Sequence, residues 1–83
     1  MFSAEDLFNR VGQRPFHPLR IVTSSGESFE IHHPDLVLVG RRDLMVGTAS
    51  RRNPRIYEQV TRIAIAHITA LEDLPRPTRQ ASN

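Results

Sequence analysis

Hydrophobic positions divide the chain into one helical stretch followed by several that read as strands. Leu7, Phe8 and Val11 fall on one face at helical spacing. Ser3 stands at the N-cap with Asp6 three residues on, and Phe2 and Leu7 occupy the positions of a hydrophobic staple. Gly12 suits the residue just past the helix, and Pro15 cannot continue it, so the pattern predicts a helix over 4–11. A helix this short is not stable by itself and must dock against something else.

Period-two alternation begins at Leu19, where Leu19, Ile21 and Thr23 alternate with Arg20, Val22 and Ser24, and the turn 24–27 follows. In the next stretch Phe29, Ile31 and His33 share one face, while Ser28, Glu30 and His32 share the other. Pro34 and Asp35 then bend or end the pairing, because proline has no N–H to donate. The continuously apolar run 36–39 suits a strand covered on both faces. The polar turn 40–43 leads into a strand over 44–49, with Gly47 marking a bulge.

The stretch 56–74 supports two readings. Ile56, Val60, Ile63, Ala64, His67, Ile68 and Leu71 fall at helical spacing, whereas Ile63, Ile65, Thr69 and Leu71 also alternate. The β-branched residues crowded between Thr61 and Ile68 weigh towards strand, since they lose rotamer freedom in a helix and the earlier strands need partners. The expected fold is mainly β with one N-terminal α-helix: a small, strongly bent, five-stranded antiparallel sheet or barrel over 3–74. The proline-containing polar tail 75–83 is expected to be disordered.

Composition narrows the function classes. With 83 residues there is room for one domain and a modest core, so association with other copies is expected to supply stability. The absence of cysteine excludes disulfides, thiolate metal sites and a cysteine nucleophile, and makes the cytoplasm the natural compartment. No apolar run approaches the length of a bilayer span, and the acidic start Glu5-Asp6 is unlike a signal peptide, so no membrane partner is expected. All 11 basic residues are arginine, set against nine acids, for a net charge of +2. Their clustering matters more than their number. Arg41 and Arg42 form one group, and Arg51, Arg52 and Arg55 another, in polar stretches where a planar fork of donors can meet phosphate oxygens.

The stretch 6–11, then 17–26, then Phe29 three places after Gly26, resembles the helix, first strand and turn of the Hfq branch of the Sm-like proteins. The stretch 66–71, followed shortly by proline, resembles the closing strand of that fold. The segments 15–18 and 26–34 are also similar to a group of short uncharacterised bacterial proteins. The Sm-like resemblance implies five bent strands behind a helix, and a ring built by pairing strands between neighbouring subunits. It further implies a basic rim, here matched by Arg10 and Arg14. Ala64-Ile65-Ala66 stands where Hfq proteins carry a tyrosine-lysine-histidine triplet that contacts uridine-rich RNA, so that pocket is not implied here.

Candidate catalytic chemistry is sparse. His32 and His33 are adjacent and would point to opposite faces of a strand, and His17 and His67 lie far off in sequence, so no metal site is expected. There is no nucleophile elbow and no glycine-rich phosphate loop, and neither an enzymatic activity nor a cofactor is expected. The leading expectation is an oligomeric Sm-like module that binds single-stranded RNA through phosphate contacts. Arg51, Arg52 and Arg55 would make them, with help from Arg41, Arg42, Arg10 and Arg14, while Ile63 and Ile65 would lie between copies. The alternative is a protein-interaction or assembly module, with an acidic protein as partner of the same arginines.

Overall fold

A computed structural model describes residues 1–50, 52–53 and 56–75. Helix α1 forms over Ala4–Val11. The Asp6 N–H donates to Ser3 Oγ at 3.0 Å and the Ser3 N–H donates to Asp6 Oδ2 at 2.9 Å, which closes the capping box. These bonds hold the Asp6 carboxyl below the ordinary aspartate range, the backbone N–H of Ser3 being the main cause. Gly12 ends the helix in the right-handed region, at φ −81, rather than the left-handed one, with its N–H donating to the Phe8 carbonyl at 2.9 Å. Leu7 is buried, and Phe2, Ala4 and Val11 pack on the same core, but Phe8, expected on that apolar face, is 67% exposed, so the docked face is narrower than the sequence predicts.

Two three-stranded antiparallel sheets follow. The first has the order β2-β1-β6, from β1 (Leu19–Thr23), β2 (Ser28–Ile31) and β6 (Ile68–Asp73). The second has the order β3-β4-β5, from β3 (Val37–Val39), β4 (Asp43–Ala49) and β5 (Tyr57–Ala64). Strands β1 and β2 join through a turn in which Gly26 takes φ +91, a conformation that side chains with a Cβ rarely adopt.

The expected five-stranded sheet or barrel is corrected to six strands in two sheets that do not close. Proline is the reason. Pro34 opens a 3-10 turn, Pro34–Leu36, that interrupts what would be one bent strand and leaves β2 in one sheet and β3 in the other. Strand β3 is also not covered on both faces: Val37 is buried, but Leu38 is 68% exposed. The irregularity in β4 falls between Thr48 and Ala49 rather than at Gly47.

The stretch 56–74 is extended, as the β-branched residues favoured, and a second 3-10 turn, Ile65–His67, carries the chain from β5 to β6. Helical spacing there was a by-product of two strands separated by a turn. The core lies between the sheets under α1, with Leu7, Leu19, Ile21, Ile31 and Leu44 its most enclosed large side chains. Ile63 and Ile65 belong to it, each 6% exposed. Their side chains, expected between copies, are covered within the single chain.

Candidate nucleic-acid interface

The outward faces of the two sheets differ in chemistry. On β1, Leu19, Ile21 and Thr23 point inwards, which leaves Arg20 outward in the middle of the β2-β1-β6 sheet. Its register partners are Glu30 on β2 and Glu72 on β6, and its guanidinium reaches both carboxylates at 3.1 Å. His32 lies 3.3 Å from the second oxygen of Glu30. Arg20 first, and His32 second, hold the Glu30 carboxyl below the ordinary glutamate range, and the two acids raise the pKa of Arg20. Cations and anions on this face are therefore mutually satisfied.

The outward face of the β3-β4-β5 sheet carries an apolar strip, with the Arg62–Asp43 pair beside it. Inward-pointing Leu44, Val46 and Ile63 put Met45, Gly47, Val60 and Arg62 on the other side. Leu38 stands opposite Met45, and Val60 opposite Gly47. Leu36, Leu38, Met45, Gly47, Tyr57 and Val60, with Asp35, line a groove of about 280 Å³. Tyr57 is 47% exposed, with its hydroxyl donating to the Asp35 carbonyl at 2.6 Å. A Cβ added at Gly47 would stand 3.2–3.4 Å from Cγ and both Cδ atoms of Tyr57. Such near-equal distances put one face of the ring over Gly47, and a Cβ there would oblige the ring to give by a few tenths of an ångström.

The arginines sort into two groups. Arg41 and Arg42 are exposed in the turn between β3 and β4, where the Gly40 N–H donates to the Asp43 carbonyl at 2.7 Å and the Arg42 carbonyl accepts from the Ile65 N–H at 2.9 Å. Arg52 is exposed in the loop 50–56, closed at its base where the Ser50 N–H donates to the Ile56 carbonyl at 2.8 Å. Arg51 and Arg55 lie outside the described residues, as do 76–83 of the expected tail. Arg62, which the sequence reading passed over, projects from β5 with its Nε 3.3 Å from Asp43 Oδ2.

Arg10 and Arg14 are committed within the chain. Arg10 pairs with Asp73 at 2.7 Å, stands over the Phe16 ring at 5.9 Å and is 15% exposed at its side chain. Arg14 donates to the carbonyls of Gln13 and Val11 at 2.8 and 3.2 Å. Of the two residues expected on a basic rim, Arg10 secures the end of β6 to the helix through its guanidinium. A smaller cleft of about 170 Å³ lies between the β1–β2 turn and the second 3-10 turn, lined by residues that include Thr23, Ser25, Glu27, Arg62 and His67.

Sequence reasoning missed the apolar face because Leu38, Met45, Val60 and Tyr57 come from three strands that only the sheet brings together. A glycine in a strand otherwise rich in apolar residues, with an aromatic some ten positions on, was the available signal. Among the described residues no three His, Cys, Asp or Glu side chains gather as a metal site, and no helix is long and apolar enough to cross a membrane. In comparison with known proteins, the chain matches no family model, no curated protein and no solved structure.

Proposed function

We propose that this chain is an Sm-like module that assembles with copies of itself and binds single-stranded RNA without catalysis, chiefly through arginine–phosphate contacts. The observation that carries the assembly is the longer edge strand of each sheet, β2 and β3 being the shorter edges. Strand β5, eight residues long, ends one sheet, and β6, six residues long, ends the other. A row of unpaired N–H and C=O groups is a template for another strand, and two different edges on one chain permit head-to-tail pairing that closes into a ring. The order of helix, strands and 3-10 turns also supports the Sm-like reading, with the bent second strand divided at Pro34.

RNA binding is supported by Arg41, Arg42 and Arg52, all exposed in loops and without an ion pair among the described residues. Arg51 and Arg55 join the second group by sequence. Each phosphate neutralised on a single strand contributes roughly −0.7 to the slope of log affinity against log salt. Several such contacts would make RNA affinity fall steeply as salt rises. Absence of binding to single-stranded RNA at low salt would remove this reading. Light scattering at micromolar concentration tests the assembly, where six or seven subunits fit a ring, two fit a generic dimer and a stable monomer contradicts it.

The second reading, a protein-interaction module, is favoured by one observation: the exposed apolar groove beside Tyr57. An acidic protein could meet the same arginines, but it would show no dependence on RNA.

A further inference from the structure

The outward face of the β3-β4-β5 sheet is apolar along its middle and carries arginines at both ends, with Asp43 paired to Arg62, Asp35 at the groove and exposed Glu58 beside Tyr57 as the acids nearby. Arg41 and Arg42 stand in the turn at one end, and Arg62 lies on the face itself as the register partner of Met45. At the other end, the loop carrying Arg52 finishes one residue before Tyr57. The seven residues of β4 separate the two ends by roughly 20 Å.

An apolar strip favours an apolar occupant, while arginines at both ends favour an anionic one. Single-stranded nucleic acid satisfies both, because its bases present π faces and its phosphates follow a flexible backbone. An amphipathic protein helix would match the face only if it carried acids towards both ends of its apolar stripe. The other sheet offers no such site, since Arg20 is already shared between Glu30 and Glu72.

From this pattern we infer that the face is a base-stacking platform, on which one base of a single strand lies on the outward face of the Tyr57 ring while Arg52 and Arg62 contact flanking phosphates. The inference rests on the RNA reading above and adds to it the place where bases are touched. Tyr57 suits the role because it is already held: one face rests on Gly47 and the hydroxyl is tied to Asp35. Little rotamer freedom is then lost on binding. Leu38, Met45 and Val60 continue the apolar surface to either side. The Arg62–Asp43 pair is exposed, and an exposed pair of this kind is weak enough for a phosphate to compete.

The chain has one tyrosine and no tryptophan, so its intrinsic emission reports on this ring alone. The experiment titrates the whole chain with single-stranded RNA of about ten nucleotides, a length within the range one small β-domain covers. A parallel titration uses an abasic strand of the same length. The RNA is expected to quench tyrosine emission and the abasic strand to bind without quenching. Tyr57→Leu should weaken RNA binding about tenfold or more and leave abasic affinity unchanged, while Tyr57→Phe, which keeps the ring, should bind as the native chain does. Salt-dependent binding of both strands with no base-dependent quenching, or with unchanged RNA affinity in Tyr57→Leu, overturns the platform and leaves the phosphate reading standing. If neither strand binds at low salt, both fall. A lower particle mass for Tyr57→Leu in the absence of RNA would assign the face to a second copy of the chain, and that too overturns the inference.

Discussion

The ring of Tyr57 covers Gly47 on the neighbouring strand, with Cγ 3.2 Å from where a Cβ of residue 47 would stand. The same ring reaches across the sheet to the Asp35 carbonyl. Thus β5, β4 and the turn after β2 are held together by one side chain on the outside of the fold, not only by the core beneath.

Gly47→Val should lift the ring and break the bond to Asp35, at a cost of about 1–3 kcal/mol, the usual range for overpacking. In a Tyr57→Ala background most of that cost should vanish, because the clash has lost one partner. A double-mutant cycle measured by chemical denaturation checks this. Additive costs would show that the ring and the glycine are not coupled.

Ile65→Lys is expected to unfold the chain rather than merely separate copies of it. The side chain is 6% exposed within one chain, and an uncompensated charge placed there costs several kcal/mol. Val60→Lys, on the outward face of β5 and 51% exposed, should keep a native far-ultraviolet spectrum. A folded but dissociated Ile65→Lys variant would return that residue to an interface.

Acid should loosen the β2-β1-β6 sheet through Glu30. Its carboxyl titrates below the ordinary 4.5 because Arg20 and His32 favour the charged form. A carboxyl depressed by folding contributes its stability above its unfolded value and loses it as pH falls through the folded one. Melting temperature should accordingly begin to drop as pH goes below about 4.5, and Glu30→Gln should flatten that part of the profile. An unchanged acid limb in the variant would count against the network.

The two groups of arginines should separate in a salt titration. Replacing Arg41 and Arg42 together with glutamine should reduce the magnitude of the RNA salt slope by about 1.4, two phosphates' worth. Arg10→Gln should leave the slope alone and lower the melting temperature slightly, because its guanidinium is engaged with Asp73 and Phe16. A change in slope for Arg10→Gln would place that residue among the phosphate contacts after all.

The sequence by itself determined the local elements. The capping box at Ser3 and Asp6, the alternation from Leu19 to Thr23, the turn glycine at 26 and the donor missing at Pro34 each act within a few residues, so their outcome is written in neighbouring positions. Even the ambiguous stretch 56–74 could be weighed correctly, because β-branching is a property of single residues. What only the tertiary structure decided was which faces the elements keep for themselves. Leu38 and Ile65 are both apolar and both lie in strand-like sequence, yet one is exposed and the other is core, because sheet pairing and the 3-10 turn at Ile65 set which side meets the core. Arg10 and Arg41 are equally basic in sequence, but Asp73, 63 residues away, folds back to claim only the first. The groove at Tyr57 belongs to the same class of outcome: its parts lie on separate strands, and long-range pairing alone brings them to one face.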